Sequence, residues 1–215
     1  MAREATEGSW HPSDDDDYEA LNAELKRLFG EWADAHGVEV DHDAPELALH
    51  YKWGYLDGHL TRWKRADLSE LYLELFPRKV ILEDDEVDQV MQEAKTFVRF
   101  LSTTGLLAEG SDPADELVEH LGAIDDEFKE HMADSSRHGM AKRFMTKAAA
   151  EGVGPTDQAA LEGFISRFNA RSPTEREAVL GTPALRSSRR ATSGRVTPPG
   201  TRPRPSSRSR RKRRR

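Results

Sequence analysis

The last 35 residues constrain what this chain can fold into, because they contain very little that a folded core could bury. Between residues 181 and 215 there are five prolines and six serines. The apolar positions are few and weak, namely Ala184, Leu185, Ala191 and Val196. Ordering a residue costs roughly 1–2 kcal/mol of conformational entropy, and so little apolar surface cannot offset that. We therefore predict a disordered tail over residues 181–215.

Charge is divided along the chain at the same place. Residues 186–215 carry 13 Lys or Arg and no Asp or Glu, whereas the preceding residues carry 19 basic and 39 acidic side chains. The net charge of −7 therefore combines a body with a formal charge of −20 and a tail with a formal charge of +13. The tail ends in six consecutive cations, Arg210, Arg211, Lys212, Arg213, Arg214 and Arg215.

This run of cations predicts a segment that binds polyanions. Clustered Lys and Arg displace counterions from nucleic acid and bind it without reading its sequence, with an affinity that falls as salt rises. RNA, DNA and acidic protein surfaces would all serve as partners. Two alternatives stay open: the tail associates with the acidic body of the same molecule, or it is a passive, solubilising end.

Several functional classes are excluded by what the sequence lacks. With no cysteine, the chain has no disulfide scaffold, thiolate metal site or cysteine nucleophile. No apolar run is long enough to span a bilayer, and Met1 to Asp17 is acidic without the apolar stretch of a secretion signal. Phosphate-loop, zinc-protease, nucleophile-elbow and dinucleotide-binding motifs are absent. We expect a cytoplasmic protein with no membrane partner, no cofactor and no metal.

Residues 14–180 carry apolar side chains at helical spacing, behind a flexible N-terminus over residues 1–13. After Asp14, apolar residues recur every three or four positions from Tyr18 to Trp32, which predicts a helix with one apolar face. Gly37 is the predicted end of this helix. The same pattern predicts further helix starts at Asp67, Glu83, Asp112, Met140, Thr156 and Ser172, with stops at Pro77 and Gly105. The helix behind Asp112 runs without a break to Met132 in this interpretation. We expect an acidic, all-α, bundle-like domain of about eight helices.

Residues 45–63 allow two interpretations. Leu47, Tyr51 and Tyr55 are four residues apart, which favours a helix behind Pro45 that ends near Leu56. Asp57-Gly58, however, is a strong signal for a tight β-hairpin turn, which would place a small hairpin at residues 51–63. We favour the helix.

An aromatic and basic segment from Tyr51 to Lys79 is the first candidate site. Aromatic faces beside guanidinium groups can stack bases or grip phosphates. The candidate ligand or partner surface consists of Trp53, Arg62, Trp63, Arg78 and Lys79. The structural alternative is that the aromatic rings belong to the core, and that the Lys and Arg stems cover its rim.

Two carboxylate and histidine pairs are the second candidate site. Glu116 and His120 are four residues apart, and Glu127 and His131 repeat that spacing three helical turns later. Such pairs can share a metal ion in helical bundles. The more ordinary interpretation is a solvated helix face with charge pairs. A metal-dependent protein or enzyme is therefore an alternative function.

The chain also resembles a group of actinobacterial proteins for which no activity is established. The resemblance rests on YKWGYLDG at residues 51–58, Arg62-Trp63, Asp67-Leu68, FPRKV at 76–80, Phe97 to Leu107, FNAR at 168–171, Glu175-Arg176 and Val179-Leu180-Gly181. Some members occur beside nucleic-acid-associated or mobile-element modules, which is the context that the resemblance implies. It extends over residues 45–181 and leaves the basic tail outside.

These observations favour a non-enzymatic binding or regulatory protein. Its helical body would contact a partner through the aromatic and basic surface, and its tail would add affinity for nucleic acid or another polyanion. The alternatives are the metal-dependent protein described above and an acidic module for protein–protein interaction.

Overall fold

A computed structural model describes residues 10–154 and 156–180, and the fold in these ranges is all-α, with no strand. This confirms the predicted fold class. The predictions for residues 1–9 and 181–215, including the run from Arg210 to Arg215, lie outside the described residues. No helix in the described ranges is long and apolar enough to cross a membrane.

The described residues form ten α-helices and one π-helical segment. In chain order they are α1 Asp15–His36, α2 Pro45–Tyr55, α3 Arg65–Ser69, the π segment Glu70–Leu75, α4 Phe76–Lys79, α5 Asp84–Thr103, α6 Ala114–Ala123, α7 Asp125–Ala133, α8 Met140–Ala150, α9 Gln158–Ala170 and α10 Pro173–Leu180.

The ends of α1 and α5 follow the sequence signals. Oδ1 of Asp14 accepts a hydrogen bond of 2.9 Å from the N–H of Asp17 and caps α1. Gly37 and Gly105, which end the two helices, have φ angles of 64° and 69°. Glycine adopts this left-handed conformation without strain, so it suits the end of a helix. The predicted stops at these two residues are confirmed.

The ambiguous segment forms a helix rather than a hairpin. Helix α2 runs to Tyr55, and the N–H groups of Leu56 and Gly58 both donate to the carbonyl of Lys52, at 3.3 and 3.2 Å. Gly58 has the positive φ that the hairpin signal demands, but here it closes the end of a helix. The favoured helix is therefore confirmed, and the alternative of a small hairpin at residues 51–63 is wrong.

Pro77 does not end a helix, contrary to the sequence prediction. Since proline has no N–H, no α-helical hydrogen bond can reach the carbonyl of Leu73, four residues back. The chain widens into the π segment before Pro77 and continues in α4 to Lys79. Nδ1–H of His131 donates to that carbonyl at 3.1 Å, so a residue of α7 supplies the missing bond.

Three other predicted boundaries are also corrected. The helix after the Trp63 loop begins at Arg65, and Asp67 lies in its first turn, where its carboxylate accepts from the N–H of Lys64 at 3.1 Å. The helix expected from Asp112 to Met132 is interrupted at Ile124, where α6 ends and α7 begins. Asp157, rather than Thr156, caps α9 through the N–H of Ala160.

Two hydrophobic cores hold the helices together. The larger one joins α1, α2, the α3-to-α4 region, α5, α6 and α7. Aromatic rings pack at its centre. The ring centroids of Phe29 and Phe97 are 5.7 Å apart, as are those of Tyr72 and Phe128. The smaller core joins α8 and α9, with Phe144 and Phe164 at 4.9 Å.

The smaller core is attached at the C-terminal end of α4. The N–H of Gly139 donates to the carbonyl of Arg78 at 2.8 Å, and Nζ of Lys142 donates to the carbonyl of Pro77 at 3.0 Å. A Cβ atom at position 139 would lie 2.7 Å from the Arg78 oxygen, which is closer than such atoms can approach. The position therefore requires glycine. Two carbonyls at the end of α4 obtain their donors from the start of α8.

Candidate partner-binding surface

Trp63 belongs to the core and not to a surface. Its side chain is 2% exposed, and its indole Nε1–H donates to the carbonyl of Leu60 at 3.0 Å. Nζ of Lys52 lies 4.9 Å from the centre of the ring, in a cation–π contact. The prediction that Trp63 contributes to a partner surface is therefore wrong.

Lys52 is fully buried at the centre of an ionic network. Its Nζ lies 2.8 Å from Asp57 and 2.6 Å from Asp67, and the side chains of these two residues are 33% and 19% exposed. Burial alone would raise the pKa of Asp57, but hydrogen bonds from Lys52 and Arg62 outweigh it and hold this pKa below its ordinary value. The network ties the C-terminal end of α2 to the first turn of α3.

Arg62 and Arg65, two further cations of the aromatic and basic segment, also face carboxylates. The guanidinium of Arg62 lies 2.9 Å from Asp57, and that of Arg65 lies 3.3 Å from Asp112 and 3.4 Å from Glu116. A guanidinium that already pairs with a carboxylate binds a phosphate less readily, because the existing pair must first be broken. These contacts make this part of the segment a poor anion site.

Trp53 is half-buried against the N-terminal helix. Its ring stacks on that of Tyr18 with a centroid distance of 5.9 Å and an interplanar angle of 6°. Gly58 also lies against this ring, and a Cβ atom at that position would approach the indole to 3.2 Å. Only part of this ring is therefore available to a partner.

One residue of the predicted surface, Lys79, contacts the exposed ring of Tyr55. Nζ of Lys79 lies 4.1 Å from the centre of the Tyr55 ring and donates to its hydroxyl at 3.0 Å. Tyr55 and Ile81 are each 51% exposed, and Met140, next to the Gly139 contact, is 64% exposed. Arg78 is exposed as well. We call Tyr55 and Lys79, together with the exposed residues Arg78 and Ile81 that lie close to Lys79 in the chain, the Tyr55 patch.

In the second candidate site, Glu116 and His120 have different partners, whereas Glu127 and His131 contact each other. Nε2 of His120 lies 2.7 Å from the hydroxyl of Ser69, and Glu116 contacts Arg65. His131 donates from Nδ1 to the carbonyl of Leu73 and has Glu127 at 3.5 Å from Nε2. In the part of the chain that the structure describes, no three His, Asp or Glu side chains are arranged to hold a metal ion. His120 therefore connects α6 to α3, and His131 connects α7 to the π segment.

Besides Lys52, the buried side chains of Lys142 and Asn22 were not anticipated from the sequence. Lys142 is 6% exposed with the Pro77 carbonyl as its hydrogen-bond acceptor, and desolvation lowers its pKa to about 8. Asn22 on α1 is 4% exposed. Neither residue lies in a motif, so no sequence signal distinguishes them from exposed lysines and asparagines.

Comparisons of the chain with protein-family models, with curated proteins and with solved structures give no match. The resemblance to the actinobacterial group therefore stays a prediction. The functional argument rests on the residues, their charges and their geometry.

Proposed function

We propose that this protein is a non-enzymatic binding or regulatory protein whose basic C-terminal segment binds nucleic acid or another polyanion. The observation that carries the proposal is the division of charge, with 13 basic and no acidic side chains in residues 186–215. Such a segment binds phosphate backbones by counterion release, without any need for a folded reading surface.

The contacts in the body support a role for the C-terminal segment rather than for the body. Lys52, Arg62 and Arg65 pair with carboxylates of the same region, and Lys26 lies 2.8 Å from Asp43. Arg27 pairs with two glutamates of its own helix. Because residues 1–185 hold about twice as many acids as bases, the body repels a polyanion.

A protein partner is a second candidate, and the Tyr55 patch favours it. Exposed aromatic and aliphatic side chains beside cations are typical of surfaces that proteins use to bind each other. In this proposal, the patch contacts a partner while the C-terminal segment holds the complex near a polyanion.

A salt titration tests the polyanion proposal. Fluorescence anisotropy would measure the affinity of the full chain for a labelled random DNA duplex and for RNA between about 50 and 200 mM NaCl. Heparin as a competitor would show whether any polyanion suffices. We expect the logarithm of the affinity to fall linearly with the logarithm of the salt concentration.

Matched variants locate the interaction. One carries Arg213→Ser, Arg214→Ser and Arg215→Ser, and the other carries Arg78→Ser, Arg99→Ser and Lys147→Ser on the body. Each loses three positive charges, and three phosphate contacts contribute about 2.7 to the slope of that line. We expect the slope to decrease only in the first variant. Equal decreases in both, or no binding to DNA, RNA or heparin, would contradict the proposal.

A further inference from the structure

A cleft of about 330 Å³ lies between α1 and α2. The side chains that line it include Tyr18, Glu19 and Asn22 from α1, Asp43 from the loop before α2, and Glu46 and His50 from α2. Pockets for small ligands begin at about 300 Å³. The cleft is therefore large enough for one side chain or one small molecule.

Asn22 gives the cleft an unpaired hydrogen-bond acceptor. Its side chain is 4% exposed, and its buried Oδ1 makes no hydrogen bond to any described residue. Native proteins pair nearly all of their buried polar atoms, because an unpaired one is unfavourable. An N–H donor that entered the cleft beside Asn22 would satisfy this atom.

The cleft is also negatively charged. Its three carboxylates are those of Glu19, Asp43 and Glu46. Nζ of Lys26 lies 2.8 Å from Asp43 and 2.5 Å from Glu46. Glu19 has no ion pair within residues 10–154 and 156–180. A bound cation would therefore meet at least one carboxylate that is not already paired.

An aromatic wall completes the cleft. The ring of Tyr18 stacks on Trp53 and meets the edge of His50 at 6.3 Å. Burial, together with the negative charges of Glu19 and Glu46, raises the pKa of Tyr18 to about 12. The phenol is neutral at physiological pH with or without this rise in pKa, so Tyr18 offers a cation its aromatic ring and not a negative charge.

We propose that this cleft binds the guanidinium group of an arginine side chain presented by a partner polypeptide. The planar guanidinium offers five N–H donors, which suits a site with an amide oxygen, several carboxylates and a tyrosine ring. A metal ion fits less well, since no metal-binding group of three side chains is found in the described ranges. This proposal does not depend on polyanion binding by the C-terminal segment.

Titration of the full chain with blocked tripeptides tests the proposal. The probes are glycyl-arginyl-glycine and its analogues with lysine or citrulline at the centre, and the readout is the ¹⁵N-labelled amide spectrum. Citrulline keeps the shape of arginine but carries no charge. We expect saturable shifts around Asn22 and Glu46 with the arginine peptide, weaker binding of the lysine peptide, and none of the citrulline peptide.

Three variants connect the binding to the cleft. Asn22→Leu removes the buried acceptor and is expected to weaken binding about tenfold or more. Glu19→Gln removes an exposed charge and should weaken binding about two- to fivefold. Glu119→Gln makes the same change on α6, away from the cleft, and should have no effect.

Three results would overturn the proposal. They are equal binding of the arginine and citrulline peptides, shifts that lie elsewhere in the protein, and unchanged affinity in both cleft variants. Glu19 is exposed, so Glu19→Gln remains informative if Asn22→Leu perturbs folding.

Discussion

The two buried lysines of the described structure are accommodated in opposite ways. Lys52 has two carboxylates within 3 Å and an indole ring beside it. Lys142 donates to one backbone carbonyl, and the loss of water lowers its pKa to about 8. A buried ammonium group needs either counter-charges or a weaker hold on its proton. The first lysine therefore joins α2 to α3 through two ion pairs. At the contact between α4 and α8, a rise in pH removes the charge of Lys142.

Loss of the Lys52 ammonium should have the largest effect on stability. Lys52→Met leaves Asp57 and Asp67 close together without their shared cation, so we expect a loss of about 3–5 kcal/mol in the free energy of unfolding. Urea denaturation followed by circular dichroism measures it. Lys147→Met is the control, because Lys147 is exposed and lies 3.7 Å from Glu151. Similar losses in both variants would show that burial and pairing of Lys52 contribute little.

Loss of the Lys142 ammonium should increase the free energy of unfolding, opposite to the effect at Lys52. Lys142→Met removes an uncompensated buried charge at the expense of one hydrogen bond, so we expect about 2 kcal/mol of added stability at pH 7. The same denaturation experiment measures this gain. A less stable variant would show that the bond to the Pro77 carbonyl outweighs the cost of burying the charge.

The stability that Lys142→Met adds should also depend on pH. The pKa of Lys142 is about 8 in the folded protein and 10.5 ordinarily. Between these values the unfolded chain binds more protons, so this residue makes the free energy of unfolding rise with pH. We expect the advantage of Lys142→Met to shrink by about 1 kcal/mol between pH 8 and pH 9. A constant advantage across this range would contradict the lowered pKa.

The outer part of the Lys52 network should matter least. Arg62 pairs with Asp57 at the solvent edge, where ion pairs contribute about 0.2–1 kcal/mol. We expect Arg62→Gln to reduce the free energy of unfolding by about 0.5 kcal/mol, with a smaller effect at 1 M NaCl than at low salt. A loss as large as that of Lys52→Met would show that Arg62 contributes as much to the network as the buried Lys52.

The sequence predicts the helices well where their signals are local. Asp14, Gly37 and Gly105 act on their own turns, and the structure confirms all three. The continuation through Pro77 was not predictable, because it depends on a donor from His131, which is distant in sequence. Local propensity contains no information about such a partner.

The exposure of the residues in the candidate surface was predicted only in part, for the same reason. Arg78 is exposed and Lys79 is half-exposed, as a partner surface requires, but Trp63 is buried beside Lys52. Helical periodicity stops at the loop after Tyr55, so it cannot indicate which way the next aromatic ring faces. Lys52 looks like any surface lysine until the fold brings Asp57 and Asp67 to it.

Gly139 makes the protonation of Lys142 depend on a distance between two backbones. The glycine allows the start of α8 to approach the Arg78 carbonyl, and this approach keeps water away from the ammonium group three residues later. An added methyl group would push the two segments apart and readmit solvent to Lys142. An uncharged residue larger than glycine at position 139 would thereby raise the pKa of Lys142 towards its ordinary value.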